Sequence, residues 1–101
     1  MFTVPGPPGD VQKVFVQDNS VILYWCCTDQ RRLAIQYVLM LWRGSKVARN
    51  FILDDPFFHV RGLDSNTQYF FSVQAVNDIG VGTDKNITVT TLPESEYYLY
   101  T

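Results

Sequence analysis

The sequence is poor in the residues from which catalytic and metal sites are built. Its 101 residues include one histidine, His59, and two cysteines, which are adjacent at positions 26 and 27. A zinc site needs a second pair of ligands at a short spacing, and none is present. A hydrolase needs a base beside its nucleophile, but Asp29 and Arg31 lie in a polar loop that nothing connects to His59. The sequence therefore predicts no catalytic residue, no metal site and no cofactor.

The sequence also lacks an excess of charge of one sign and long apolar runs. Eight Lys and Arg residues against ten Asp and Glu residues leave a net charge of −2. Nucleic-acid binding and electrostatic membrane binding both favour a strongly basic surface. No apolar run approaches the roughly 18 residues of a membrane-spanning helix, and no signal-peptide pattern opens the chain. We expect protein partners (neighbouring domains or another protein), no nucleic acid, no direct membrane contact and no small-molecule substrate.

The two adjacent cysteines do not predict a disulfide with each other. Neighbouring side chains on a strand point to opposite faces, so a bond between Cys26 and Cys27 would be strained. We interpret them as ordinary thiols, one of them near the core, with pairing to another domain as the alternative. Their redox state stays open and assigns no compartment.

The residues that are plentiful indicate strands. Hydrophobic residues make up 47% of the chain, aromatic residues 15%. Apolar and polar residues alternate with a period of two, and Gly, Pro, Asn and Asp clusters interrupt them about every ten residues. Helical periodicity is hard to find. The pattern predicts an all-β protein with seven strands in a two-sheet Greek-key sandwich. The predicted strands are 11–16, 21–26, 35–42, 47–53, 57–60, 69–77 and 86–91.

Several motifs at compatible spacing carry a family resemblance. A proline-rich entry precedes the first strand, and two threonines close the last one. Between them lie Ser20, Val21, Leu23 and Trp25 in the second strand, Tyr37 in the third, and the spaced set Leu63, Thr67, Tyr69, Phe71, Val73, Gly80 and Gly82. The chain resembles a fibronectin type III domain. The resemblance implies an immunoglobulin-like, seven-stranded Greek-key β-sandwich over residues 1–92, with 93–101 as a linker or the start of a following domain.

The resemblance gives the motif residues structural roles. Trp25 would fill the space between the sheets, and Tyr69 would form a tyrosine corner, with Leu63 packed beneath it. Gly80 and Gly82 would let the loop before the last strand turn where a Cβ would clash. Family members often have Pro and Gly where this chain has Ser65 and Asn66, but Asn tolerates positive φ well.

One predicted sheet face is unusually apolar. The outward positions of the third strand are Val38, Met40 and Trp42, and those of the sixth include Phe70 and Val76. The two strands are neighbours in this fold, and a solvated face should be more polar. We interpret the cluster as a surface that binds a partner. The alternative is coverage by a neighbouring domain of the same chain or by Arg and Lys stems.

Three short motifs have plain structural interpretations. His59 is expected on the surface, because no further ligand stands near it. The segment 54–56, Asp-Asp-Pro, is ordinary turn chemistry rather than a cation site. The segment 61–64, Arg-Gly-Leu-Asp, only superficially resembles an integrin-binding tripeptide, and Leu63 should be buried.

The triplet Asn86-Ile87-Thr88 matches an N-glycosylation acceptor. An unmodified strand asparagine is the alternative, and a glycan on the apolar face would limit access to it. The resemblance implies a non-catalytic interaction or spacer module from the extracellular part of a cell-surface receptor (receptor kinase or phosphatase type), an adhesion molecule or a matrix protein. The alternative is a module of an intracellular scaffold or muscle-filament protein.

Overall fold

A computed structural model describes residues 4–26 and 36–94. These residues form seven strands, which we number in chain order. They are β1 (Val11–Val16), β2 (Ser20–Trp25), β3 (Gln36–Arg43), β4 (Lys46–Leu53), β5 (Phe57–Arg61), β6 (Gln68–Val76) and β7 (Lys85–Thr90). The predicted strands all occur, with ends displaced by at most one residue where the structure describes them. In the described ranges, no helix is long and apolar enough to cross a lipid bilayer.

The strands form two antiparallel sheets. The smaller sheet has the order β1-β2-β5, and the larger sheet has the order β4-β3-β6-β7. The fifth strand therefore returns to the sheet of the first two, while the third, fourth, sixth and seventh lie in the other. This confirms the predicted all-β, two-sheet sandwich.

The core lies between the sheets and follows the period-two pattern. β2 contributes Val21, Leu23 and Trp25, and the facing strands contribute the other large side chains. The Trp25 and Tyr37 rings meet edge to face at a centroid distance of 5.7 Å and an angle of 70°. Burial of each large apolar side chain contributes about 1.5–3 kcal/mol relative to exposure. The buried apolar set is Val11, Val21, Leu23, Trp25, Tyr37, Leu39, Leu41, Val60, Leu63, Tyr69, Phe71, Val73, Ala75 and Val89.

Two irregularities shift the strand register. One lies between Lys13 and Phe15 in the β1–β2 pair, and the other lies at the start of β4. In β4, Arg49 pairs with Leu41 but Val47 pairs with Trp42, so Ala48 is the extra residue of a bulge. The bulge turns Val47 to the same side as Trp42.

The structure changes the interpretation of His59 and describes one of the two cysteines. His59 points outward from the smaller sheet but is half-buried, because it pairs with Ile22 and lies beside Arg61. Cys26 is exposed and forms no disulfide in the described chain. Cys27, the loop with Asp29 and Arg31, and the tyrosine-rich segment 97–100 lie outside the described residues.

Candidate interaction face

The outward side of the four-stranded sheet brings the predicted apolar cluster together. β3 and β6 pair so that Trp42 lies opposite Phe70, and Val38 lies opposite Gln74. Met40 lies opposite Ser72 in the same register. Because opposite residues in an antiparallel pair project to the same face, these side chains share one surface. We call this surface the outer face and define it by Val38, Met40, Trp42, Phe70 and Val76.

The outer face continues onto β4. Ile52 pairs with Val38 and is 70% exposed, and Val47 pairs with Trp42 and is 42% exposed. The sequence predicts neither residue as part of this face, because the bulge and the register of an edge strand have no simple sequence signal. The outer face therefore extends across three strands.

The outer face is less open than the alternation predicts. Phe70 is 39% exposed, whereas Val38, Met40, Trp42 and Val76 are half-buried. Large side chains on adjacent strands shield one another at this spacing. The result is a surface that is largely formed before any partner arrives, with limited side-chain entropy left to lose on binding.

A hydrogen bond fixes the tryptophan at this surface. Trp42 Nε1 donates to Ser72 Oγ over 3.0 Å, and Ser72 is buried. The indole N–H, its one polar group, is thereby satisfied within the sheet. Trp42 thus presents apolar ring surface without an unpaired donor, which suits the centre of a protein interface. Ser72 is a supporting residue that the sequence did not reveal.

Asn86 occupies the β7 side of the same face. It is exposed and lies opposite Ser72, while Thr88 lies opposite Phe70. A glycan attached to Asn86 on β7 would therefore lie beside Phe70 on the neighbouring strand β6. The β4 side of the outer face, with Ile52, is the part farthest from such a glycan.

The motif residues predicted to be structural lie in the core or against it. Trp25 and Tyr37 are buried between the sheets, and Leu63 is 6% exposed. The backbone N–H of Asp64 donates to the Tyr69 hydroxyl over 2.8 Å, which is the geometry of a tyrosine corner. Asn66 has a φ of 50°, in the left-handed region that asparagine tolerates and that the sequence analysis expects at this turn.

The two loop glycines lie against the N-terminal lead-in. A Cβ on Gly82 would fall on the carbonyl oxygen of Pro5, and one on Gly80 would approach Val4 Cγ1 to 3.2 Å. The absence of a side chain at Gly82 lets the proline-rich entry lie flat against the loop before β7.

The described part of the chain contains no group of side chains placed to hold a metal ion. Within residues 4–26 and 36–94, no three His, Cys, Asp or Glu side chains gather at ligand distances. Asp54 accepts a hydrogen bond from Gln36 Nε2 over 3.0 Å, and His59 Nδ1 accepts one from Arg61 Nε over 3.1 Å. These groups stabilise the turn and the strand end that contain them.

A comparison of the sequence with models of protein families identifies the family. The model of the fibronectin type III domain matches residues 6–91. The chain belongs to the fibronectin type III family. Fibronectin type III domains are in general non-catalytic modules that mediate protein–protein contacts in multidomain proteins.

Solved structures of similar fold come from different kinds of protein. The crystal structure of FN3tt is 27% identical, with a TM-score of 0.78 over 92% of this chain and all of that one. Domains d3–d4 of the rat CD45 extracellular region are 21% identical, with a TM-score of 0.80 over 88% of this chain and 51% of that one. The twitchin kinase region from C. elegans is 21% identical, with a TM-score of 0.77 over 93% of this chain and 18% of that one. The chain thus spans about half of the first of these two and less than a fifth of the second, and both likenesses concern the fold.

Proposed function

We propose that this fibronectin type III domain is a protein-binding and spacer module from the extracellular part of a multidomain cell-surface, adhesion or matrix protein. Its contact surface is the outer face, and its work is positional rather than chemical. The observation that carries the proposal is the register of β3 and β6, which sets Trp42 directly opposite Phe70 on an outward surface. We propose that the module covers residues 1–92 and that 93–101 are a linker or the start of a following domain.

Exposure of the apolar outer face to water is unfavourable in free energy. Aromatic residues and methionine are enriched at protein interfaces, whereas lysine and glutamate are depleted. The outer face of β3 and β6 contains a tryptophan, a methionine and a phenylalanine but no charged residue between Gln36 and Trp42. A neighbouring domain or another protein that covered it would remove apolar area from water.

The test is site-specific photo-crosslinking in the full-length host protein. A photoreactive phenylalanine is placed at Ile52 or Phe70 on the outer face, and at Val14 or Phe15 on the exposed side of β1 as matched controls. We expect crosslinks from the outer face to a single protein surface and few from β1. Equal yields at all four positions would contradict the proposed contact surface.

The compartment is tested at Asn86. We expect an N-linked glycan there in the native protein, detected as conversion of Asn86 to aspartate after enzymatic deglycosylation. Occupancy rejects an intracellular host, because N-glycans are added in the secretory pathway. In the glycosylated protein, crosslinking from Ile52 should exceed crosslinking from Phe70, which lies next to the glycan.

One observation favours the intracellular alternative. Cys26 is an exposed free thiol, and such thiols persist most readily in reducing compartments. A scaffold or muscle-filament protein would then be the host. An unmodified Asn86, together with a host protein that membrane-impermeant reagents do not label on intact cells, would establish this alternative instead.

A further inference from the structure

A second surface lies on the side of the sandwich where β4 and β5 face each other. Within the described sheets, β4 and β5 are edge strands, each paired on one side only. A groove of about 760 Å³ runs between them. Its floor is apolar, and the ring centroids of Phe51 and Phe58 are 4.8 Å apart. The groove uses the β4 side chains that alternate with Ile52 of the outer face, so the two surfaces meet along β4.

The β4 side of the groove is self-complementary in sequence. This side is lined by Arg49, Phe51 and Leu53 of β4, followed by Asp54 and Asp55 in the bend after the strand. Arg49, Phe51, Leu53 and Asp55 are spaced two residues apart. The order is therefore basic, apolar, apolar, acidic. When two such rows run antiparallel about Ile52, Arg49 of one meets Asp55 of the other at both ends, and Phe51 meets Leu53 in the middle. A two-fold axis generates this arrangement from two identical chains.

The middle of this edge, residues 50–53, lacks the usual protection against pairing, whereas a bulge precedes it and two aspartates and a proline follow it. Natural edge strands avoid association through charges, prolines and bulges. The β4 bulge lies at Ala48, before the segment in question, and residues 50–53 read Asn-Phe-Ile-Leu without a charge or a proline. Ile52, at the centre of that segment, is 70% exposed.

We infer that two copies of this chain associate through β4, edge to edge and antiparallel about Ile52. The two four-stranded sheets then join into one, and the two grooves close on each other. Asn50 of one copy comes opposite Asp54 of the other, which adds a polar pair on the outward side. The partner is a second copy because both the charges and the apolar residues of the row match only when the row is reversed.

The test is sedimentation equilibrium of the 101-residue chain from about 10 μM to about 1 mM. We expect reversible dimers. Arg49→Glu and Asp55→Lys should each weaken the homodimer at least about tenfold, because each places like charges opposite at both ends. An equimolar mixture of the two variants should recover dimers, since every opposed pair then has opposite signs again.

Controls separate this effect from a loss of folding or of net charge. Lys13→Glu and Asp84→Lys make the same charge changes away from β4 and should leave the association unchanged. Arg49 also donates to the Gly62 carbonyl over 3.3 Å. For that reason Ile52→Lys, which sets two lysines on the axis without touching that bond, is a second disrupting variant. Thermal unfolding checks that each variant is folded.

The outcomes divide cleanly. A chain that stays monomeric up to about 1 mM overturns the inference, and so does a dimer that the Arg49 and Asp55 variants leave intact. Variants that each lose dimers but do not recover them on mixing overturn the antiparallel register. Crosslinks from Phe70, which lies on β6 two strands away from β4, do not depend on these results, so the two proposals can fail independently at that position. Crosslinks from Ile52 to a second copy of the chain would instead report the β4 association.

Discussion

At the scale of single residues, a buried threonine closes the crossover between the sheets. The Thr91 hydroxyl donates to the Asp64 carbonyl over 2.6 Å and accepts from the Thr67 N–H over 3.0 Å. Thr91→Val keeps the shape but leaves both backbone groups without this partner, so we expect a loss of about 2 kcal/mol in the free energy of unfolding by urea. The adjacent Thr90→Val, at an exposed position, should change it by less than about 0.5 kcal/mol. Equal effects would contradict the assigned role of the hydroxyl.

Tyr69 binds the backbone N–H of Asp64, whose carbonyl binds Thr91. The Tyr69 hydroxyl accepts a hydrogen bond from the Asp64 N–H, while the Asp64 carbonyl accepts one from the Thr91 hydroxyl. We expect Tyr69→Phe to lower the free energy of unfolding by about 1 kcal/mol. Because both bonds hold one peptide segment, the double variant with Thr91→Val should deviate from additivity by at least about 0.5 kcal/mol. Strict additivity in urea titrations would mean that the two bonds act separately.

The sequence identified one of these two residues, and the reason is physical. Tyr69 belongs to a spaced motif in which each residue type is distinctive. Thr91, in contrast, looks like any β-branched residue at the end of a strand, and its partners at positions 64 and 67 are distant in the sequence. Hydrogen bonds of that kind depend on tertiary structure, so composition and periodicity do not reveal them. The same holds for Ser72 under Trp42.

At the scale of elements, the N-terminal lead-in is held against the loop before β7. The backbone of Pro5 lies where a Cβ of Gly82 would be. We expect Gly82→Ala to lower the free energy of unfolding by about 1–3 kcal/mol, because the lead-in must move away. Gly6→Ala, where nothing lies within 4 Å of the added carbon, is the matched control and should have little effect. Chemical denaturation measures both, and a neutral Gly82→Ala would show that the contact gives way at no cost.

The two faces of β6 give the sharpest test of the sheet assignment. Phe70 points to the outer face and Phe71, its neighbour, is completely buried. We expect Phe71→Ser to cost at least about 3 kcal/mol, and Phe70→Ser about 1 kcal/mol or less. Urea unfolding of both variants measures this difference. A reversed order would place the outer face inside the sandwich and remove the basis for an interaction surface.

Alternation predicted the faces of these strands well, but not their edges. A period of two decides which side chains of β3 and β6 are buried, because a slip of one residue would expose the whole apolar row. The bulge at Ala48 has no such signature, so Val47 and Ile52 were not recognised as part of the outer face. His59 was expected on the open surface for a similar reason: its burial depends on Ile22 across the sheet and on Arg61.

At the scale of the whole molecule, the sandwich separates the residues that stabilise the fold from the residues that we propose to contact partners. The apolar residues between the sheets supply the stability, and the residues on the outer face and along β4 remain available. This separation explains why the sequence predicts the family and the layers more firmly than the partner. The core must satisfy packing constraints that all such sandwiches share. A contact surface must instead be complementary to a second molecule, and the sequence of this chain does not specify that molecule.

The same architecture sets the folding rate. β3 pairs with β6, and the residues between them include β4 and β5, so the central pair of the larger sheet forms only after a long loop closes. Non-local pairing of this kind gives folding times between about a millisecond and a second. We expect stopped-flow refolding in that range, followed by fluorescence in a Trp42→Phe variant so that Trp25 in the core is the reporter. Folding in microseconds would mean that local structure, rather than the β3–β6 pairing, limits the rate.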